Sequence, residues 1–373
     1  VNTTHPQKGK IIMNENIIVV GGYGQVGQQI CELLAKRYPG RVFAAGRNLE
    51  RAQAFAATSK GRILPMRLDV SAQPDEETLR GVRLVIMCLD QQNPAFVQAC
   101  LSRGIHYVDI SADYSFLAQV EPLHNLAAKS GATAVLSVGL APGLTNLLAR
   151  LTSSRLDAAE KIEITVLLGM GDSHGNAALD WTFDHASSDF EMLDPVSGER
   201  RRIVSLGEGK RIPFGGRLGD RKAYRFNFAD QHILSRTLDI PDVSTRLSLD
   251  PAWLTGALAA AKRLGLLLPL RLPALRSLAV RAFASFRIGQ PLYAVHVRAT
   301  GMRGDAPAYT EAVLVGQREA EITAMTAALV ADRLYTRDGE GGVYHIEQLL
   351  RYEELAPELQ GLARLTVRDG SPV

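Results

Sequence analysis

The pattern of apolar and polar positions divides the chain into two unlike halves. From Asn16 to about Leu136, short apolar runs alternate with helical stretches. Ile17-Ile18-Val19-Val20, Val42-Phe43-Ala44-Ala45, a run within 62–70, Leu84-Val85-Ile86-Met87-Cys88, 106–110 and 133–138 predict strands. Between them, residues 24–38 place Val26, Ile30, Leu33 and Leu34 on one helical face, and 49–57, 94–103 and 117–129 also predict helices. Buried strands alternating with amphipathic helices predict a parallel sheet covered on both sides.

After about Asn146 the period changes. Residues 162–166, 293–300 and 310–315 alternate apolar with polar, as antiparallel strands with one wet face do. The last two, joined by the polar stretch 301–308, predict a hairpin, and 319–335 predict an amphipathic helix. The expected fold class is α/β: an N-terminal doubly wound parallel sheet, then a C-terminal α+β domain with a mainly antiparallel sheet. Residues 1–14 are expected to be a leader outside the fold. The first domain is expected over 15–146, completed by 337–373, and the second over 147–336.

The sharpest motif is Gly22-Tyr23-Gly24-Gln25-Val26-Gly27, between the first strand and the first helix. That context turns a weak glycine pattern into a dinucleotide-binding fingerprint of the Rossmann kind. Gly22 permits the tight turn, Gly24 lets backbone N–H groups approach a pyrophosphate, and Gly27 lets helix and strand pack closely. At the end of the second strand, an NAD-binding protein places Asp or Glu for the ribose 2′-hydroxyl. Here Ala45-Gly46-Arg47-Asn48 offers a guanidinium to a 2′-phosphate, with Arg51 as a second contact. The expected cofactor is therefore NADP(H). Asp69, followed by Val70, reads equally as an adenine contact or a turn residue. Cys88, Leu89 and Asp90 follow the fourth strand, where the nicotinamide of such a fold lies.

These residues resemble the saccharopine dehydrogenase (saccharopine reductase)-like family of NAD(P)-dependent oxidoreductases. The resemblance rests on Gly-Gly-Tyr-Gly-Gln-Val-Gly at 21–27, Ala-Gly-Arg-Asn at 45–48, the stretch Ala99 to Asp109 and Gly139-Leu140-Ala141-Pro142-Gly143-Leu144-Thr145-Asn146. Gly342-Val343 leading into Ile346-Glu347-Gln348-Leu349-Leu350 adds to it. It covers 16–150 well and 151–373 in patches. It implies hydride transfer to or from a carbon–nitrogen bond of an amino-acid-derived small molecule, and a homodimer through the second domain. Where the family often carries a Thr-Gly-Glu-like turn, this chain has Ile110-Ser111-Ala112-Asp113-Tyr114, with a shorter carboxylate.

Candidate substrate and catalytic groups come from several segments. His174, in Gly171-Asp172-Ser173-His174-Gly175-Asn176, is a candidate general acid, with a plain surface histidine as the competing reading. Asp230 is a second catalytic candidate. Asp113, Tyr114, Asn176 and Trp181 are expected near the substrate. Tyr224 to Phe228 reads as an alternating strand, and Arg225 and Arg236 are candidate carboxylate clamps, with a solvated strand face as the competing reading.

Composition narrows the picture. Of 373 residues, 46% are hydrophobic and 22% charged, which excludes a disordered chain. Three cysteines without a CxxC pair predict free thiols, a reducing, cytoplasmic setting and no metal site. The formal charge of +3 gives no reason to expect nucleic acid as a partner. That average conceals residues 252–290, with six cations (Lys262, Arg263, Arg271, Arg276, Arg281, Arg287), no acid and many leucines. The simpler reading is a helical excursion divided by Pro269 and Pro273 and packed on the second domain or a dimer partner. The other is contact with a membrane surface or an apolar substrate. The leading functional expectation is thus the carbon–nitrogen oxidoreductase, the second an enoyl or other carbon–carbon reductase with an apolar or carrier-bound substrate. The third is an NADP-binding regulator without turnover.

Overall fold

Residues 15–72, 77–172, 176–193, 197–284, 288–336 and 340–371 are described by the computed structural model of the chain. Its first sheet holds β1 (Asn16–Val20), β2 (Val42–Gly46), β3 (Ile63–Arg67), β4 (Val82–Met87), β5 (His106–Asp109) and β6 (Thr133–Leu136), with Gly342–His345 beyond β6. All the pairings are parallel, and the order from one edge is β3, β2, β1, β4, β5, β6. α1 (Gln25–Arg37), α2 (Leu49–Ala57), α3 (Ala95–Leu101), α4 (Tyr114–Val120) and α5 (His124–Ser130) connect the strands. Ile17 to Val20 are buried without alternation, as a strand covered on both faces requires. The single helix expected over 117–129 is two, because Pro122 sits in the intervening turn Glu121–Leu123 and lacks the N–H a helix interior needs. Strand order reverses between β1 and β4, and in such sheets ligands bind at the crevice that this opens beyond the strands' carboxyl ends.

α6 (Thr145–Ser153) carries the chain into the second unit. There follow β7 (Ala158–Gly169), α7 (Asn176–Ser187), β8 (Phe190–Leu193), β9 (Arg200–Ile203), β10 (Lys210–Pro213), β11 (Asp220–Arg225), α8 (Asp230–Thr237) and β12 (Asp242–Asp250). Next come α9 (Ala252–Arg263), α10 (Pro273–Ala284), β13 (Leu292–Arg303), β14 (Ala306–Gln317) and α11 (Glu319–Thr336). The chain closes with β15 (Gly342–His345), α12 (Ile346–Leu349), α13 (Tyr352–Leu359) and β16 (Ala363–Gly370). The second sheet runs β10-β11-β12-β7-β13-β14-β16, antiparallel except for the parallel pair β12–β7.

Three local expectations need correcting. The hairpin loop is shorter than the polar stretch 301–308, since Arg303 pairs with Ala306 and only Gly304 and Asp305 remain outside the strands. The strand expected at Tyr224 to Phe228 stops at Arg225, because Phe226 and Phe228 turn inward to pack around Trp181, with centroids 5.6 and 5.4 Å away. The terminal segment is shared between the two sheets: β15 extends the first, while β16 pairs with β14 of the second.

Two buried or half-buried carboxylates join the units. Glu347 accepts hydrogen bonds from Asn146 Nδ2 at 2.9 Å and Thr237 Oγ1 at 2.6 Å. Glu121 accepts two from Arg236, at 2.8 and 3.1 Å, and lies 3.1 Å from His345 Nε2.

Candidate active site

The glycine loop shows why its residue types are required. A Cβ on Gly27 would lie 2.2 Å from the Gly21 carbonyl oxygen, and one on Gly22 would lie 2.7 Å from that of Val19. Helix and strand therefore touch backbone to backbone. Gly24 caps α1 without a side-chain hydrogen bond, so the cap residue itself sets no side chain at the helix N-terminus where a pyrophosphate binds.

At the end of β2, Tyr23 lies across Gly46, where a Cβ would stand 2.4 Å from the Tyr23 hydroxyl. That hydroxyl accepts from Asn48 N at 3.1 Å, and Asn48 Oδ1 accepts from Arg51 N at 2.9 Å. The Arg51 guanidinium lies 5.1 Å from the Tyr23 ring centroid. Asp69 closes its own turn, accepting from Ser71 Oγ at 2.7 Å and Ser71 N at 3.0 Å. Those bonds, with Arg47 and Arg67 nearby, lower its pKa.

A cavity of about 450 Å³ begins at this loop and extends into the second unit. Its nucleotide end is lined by Gly21, Gly24 to Gly27, Cys88, Leu89 and Asp90. Ile110 to Ala112, the turn Gly139–Pro142, and Glu319, Ala320 and Thr323 of α11 flank it. Beyond them the wall becomes hydrocarbon. Val166 and Leu168 come from β7, Leu179, Trp181 and Phe183 from α7, and Leu247 and Leu249 from β12. Phe226, Phe228 and Leu258 of α9 add to it. No Lys, Arg or His is among the described residues lining this cavity; its charged members are Asp90 and Glu319.

The electrostatics around the cavity favour uncharged groups. Loss of solvent raises the pKa of Asp90, and the neighbouring Asp113 and Asp180 raise it further. Burial pushes the Cys88 thiol up as well, keeping it protonated and unsuited to nucleophilic work. Beneath the Cys88–Asp90 loop, Gln91 Nε2 donates to Tyr107 Oη at 2.8 Å, which donates to Asp109 Oδ2 at 2.7 Å. Asp109 is fully buried, and desolvation pushes its pKa up to about 7 despite the bonds from Tyr107 and Ser111 N. His185 packs at a tilt against Trp181, 4.4 Å between centroids, and burial lowers its pKa.

Several expected site residues have other work. Arg225 donates to Gln231 Oε1 at 3.1 Å and Arg236 pairs with Glu121, so both are engaged by protein and neither lines the cavity. Asp230 is fully buried, accepts from Thr245 Oγ1 at 2.6 Å, and lies outside the lining, which corrects its reading as a catalytic residue. Asp113 caps α4 by accepting from Ser115 N at 2.8 Å, and Tyr114 stacks on His232, 4.5 Å away. Neither is among the lining residues. Trp181 is in the lining, and its indole N–H is buried without a partner. His174 and the Asn176 side chain lie outside the described residues. No group of three metal-ligating side chains occurs among the described residues. The hydrocarbon wall escaped the sequence reading because its members alternate along strands and helices just as core residues do.

The glycine loop, the crevice at the strand reversal and the cavity continuing into the second unit form a dinucleotide-binding fold of the Rossmann kind with space for a second molecule beside it. Residues 17–135 match the family described as saccharopine dehydrogenase NADP binding domain. The whole chain resembles the apo saccharopine dehydrogenase (L-Glu forming) of Saccharomyces cerevisiae in fold, with a TM-score of 0.68 at 15% identity. That match covers 96% of this chain and 100% of the yeast one. The DAP dehydrogenase of C. glutamicum in complex with DAP matches at a TM-score of 0.46 and 13% identity, covering 94% of this chain and 99% of that one.

Proposed function

We infer that the protein is an NADP(H)-dependent reductase whose acceptor is a largely apolar molecule without a carboxylate at the reacting end. One observation carries this reading: the cavity beyond the cofactor loop is walled by hydrocarbon and contains no cation among its described residues. An amino-acid-derived imine would bring its carboxylate toward Asp90 and Glu319, at a cost that no Arg or Lys among the described lining residues offsets. The second of the three expectations, a reductase for an apolar acceptor, therefore has the better support. A regulator without turnover has less, because the space continues past the nicotinamide side of the loop.

The residues fit the cofactor. The open N-terminus of α1 and the close-packed glycines suit a pyrophosphate, and Arg47 and Arg51 suit a 2′-phosphate. When bound, the nicotinamide supplies or accepts the hydride. The chain's own contribution is to hold the acceptor by contact with Trp181, Phe226 and Leu249, and to set beside it the Asp90 carboxyl, whose pKa is raised. Asp90 is the lining residue best suited to exchange a proton with the acceptor, since desolvation and its acidic neighbours disfavour its anion. The test is loss of NADPH absorbance with two panels, one of apolar enoyl and imine acceptors, the other of keto acids with amino acids. Turnover of the apolar panel supports the reading; turnover confined to the carboxylate-bearing panel overturns it.

A further inference from the structure

Two irregular segments flank the cavity near the reversal of strand order. Met87 and Asp109 are register partners at the ends of β4 and β5. The residues that follow them, 88–91 and 110–112, belong to no helix or strand. Cys88, Leu89 and Asp90 line the cavity from the first segment, and Ile110, Ser111 and Ala112 from the second. The nicotinamide of a dinucleotide-binding sheet lies beyond the carboxyl ends of such strands.

One buried carboxyl reaches both segments. Tyr107 and Asp109 stand two residues apart on β5, hence on one face of the sheet, and both are fully buried. Asp109 Oδ1 accepts from Ser111 N at 2.7 Å, which fastens the second segment. Asp109 Oδ2 accepts from the Tyr107 hydroxyl at 2.7 Å, and that hydroxyl accepts from Gln91 Nε2 at 2.8 Å, which fastens the first. Tyr107 shares an apolar cluster with Met87, Phe96, Val97 and Cys100. A carboxyl placed there costs free energy that a packed apolar side chain would not, and what it contributes is a specified arrangement of the groups it binds. Gln91, Tyr107 and Asp109 are not among the lining residues, so they act on the cavity through the segments they hold.

We propose that the chain Asp109–Tyr107–Gln91 positions the nicotinamide end of the site: it holds residues 88–91 and 110–112 at a fixed separation and so sets how firmly the ring end of the cofactor is gripped. Asp109 is its anchor, because the bonds from the two segments end on its two oxygens. The adenosine end is built from other residues. Tyr23, Asn48 and Arg51 hold one another at the end of β2, and Asp69 closes its own turn after β3. Loss of the chain should therefore loosen one half of the cofactor and spare the other. This role rests on NADP(H) being the cofactor and is independent of the acceptor.

The test uses the full chain and does not depend on turnover. Calorimetric titration compares NADPH with adenosine 2′,5′-bisphosphate, which carries the 2′-phosphate and lacks the nicotinamide ring. Tyr107→Phe removes the bridging hydroxyl, and Gln91→Met cuts the same arm at its outer end with little change of volume. Each should weaken NADPH by at least about fivefold, the scale of a buried hydrogen bond left unmade, and change the bisphosphate by less than about twofold. Because both cut one arm, the double variant should lose no more than the larger single loss. Asp109→Leu releases both segments and should weaken NADPH further, again sparing the bisphosphate. Gln91→Met, at the rim of the chain, decides the matter where a deeper variant fails to fold. A merely structural role would lower both affinities together or make the two single losses add, and either result overturns the proposal. So does NADPH affinity unchanged in Tyr107→Phe and Gln91→Met. A wild-type chain that binds neither ligand overturns the cofactor reading, and this role with it.

Discussion

The guanidinium of Arg51 lies over the ring of Tyr23, 5.1 Å from its centroid, where the first helix begins and the second strand ends. Asn48 ties the two together, donating its N–H to the Tyr23 hydroxyl and accepting from Arg51 N. Arg51 is thereby held at the rim of the nucleotide site, one helical turn beyond Arg47. Arg47→Asp should weaken NADPH binding by about ten- to a hundredfold while changing NADH binding little, as expected for loss of a charge-assisted contact and addition of a repelling carboxylate. Arg51→Ala should do the same more mildly. Titration of both cofactors checks this, and equal effects on the two would refute the 2′-phosphate assignment.

Gly27→Ala should damage both stability and cofactor binding. The added methyl would lie 2.2 Å from the Gly21 carbonyl oxygen, a backbone atom that cannot rotate away. Separation of α1 from β1 should cost about 1–3 kcal/mol, the usual range for overpacking. Thermal unfolding should show a lower midpoint and little further stabilisation by NADPH. A variant stabilised by NADPH as strongly as the wild type would argue against this account of the loop.

Ala178 lines the cavity from α7 and is itself exposed, so enlarging it narrows the space without crowding the core. Ala178→Phe should raise KM for bulky apolar acceptors by about tenfold or more, on the scale of the apolar burial a blocked pocket forfeits, and should leave NADPH affinity unchanged. Steady-state kinetics across acceptors of increasing length measure this. Equal KM changes for short and long acceptors would count against a shared hydrocarbon wall.

Asp109 produces a specific dependence of stability on pH. Burial raises its pKa in the folded state to about 7, above the roughly 3.9 of an unfolded aspartate. The folded state therefore holds a proton that the unfolded chain releases, and stability falls as pH rises from about 4 through about 7. Asp230, raised by burial to about 6, acts in the same direction. Glu121 acts oppositely: burial opposes its charge, but hydrogen bonds from His345 and Arg236 prevail and hold its pKa at about 2. Its contribution is lost as pH falls from about 4.5 through about 2. Urea unfolding across pH 4–8 should give a flatter curve for Asp109→Asn than for the wild type; superimposable slopes would contradict the assignment.

Much of the first domain was legible because its signals are local. Uninterrupted apolar runs such as Ile17 to Val20 mean burial on both faces, and Gly22, Gly24 and Gly27 each answer a steric demand within a few residues. Arg47 was equally legible, since its position follows from the end of a strand. The wall of the cavity was not. Leu247 on β12 and Leu179 on α7 are indistinguishable in sequence from core residues, and only the tertiary arrangement that brings β12 and α7 to one cavity leaves space beside them. Arg225, Arg236 and Asp230 read as free polar groups, and the fold engages Arg236 with Glu121 and Asp230 with Thr245, both distant in sequence, and Arg225 with the nearby Gln231.

The sequence by itself determined the order of elements, the nucleotide fingerprint and the concentration of cations and leucines at 252–290, because hydrophobic period, glycine sterics and charge are written residue by residue. Tertiary structure alone decided which leucines line a cavity, which face water and which arginines are consumed in ion pairs. Those outcomes depend on what a distant segment brings alongside. Period and composition encode which face of a helix is apolar, and long-range packing chooses what that face meets.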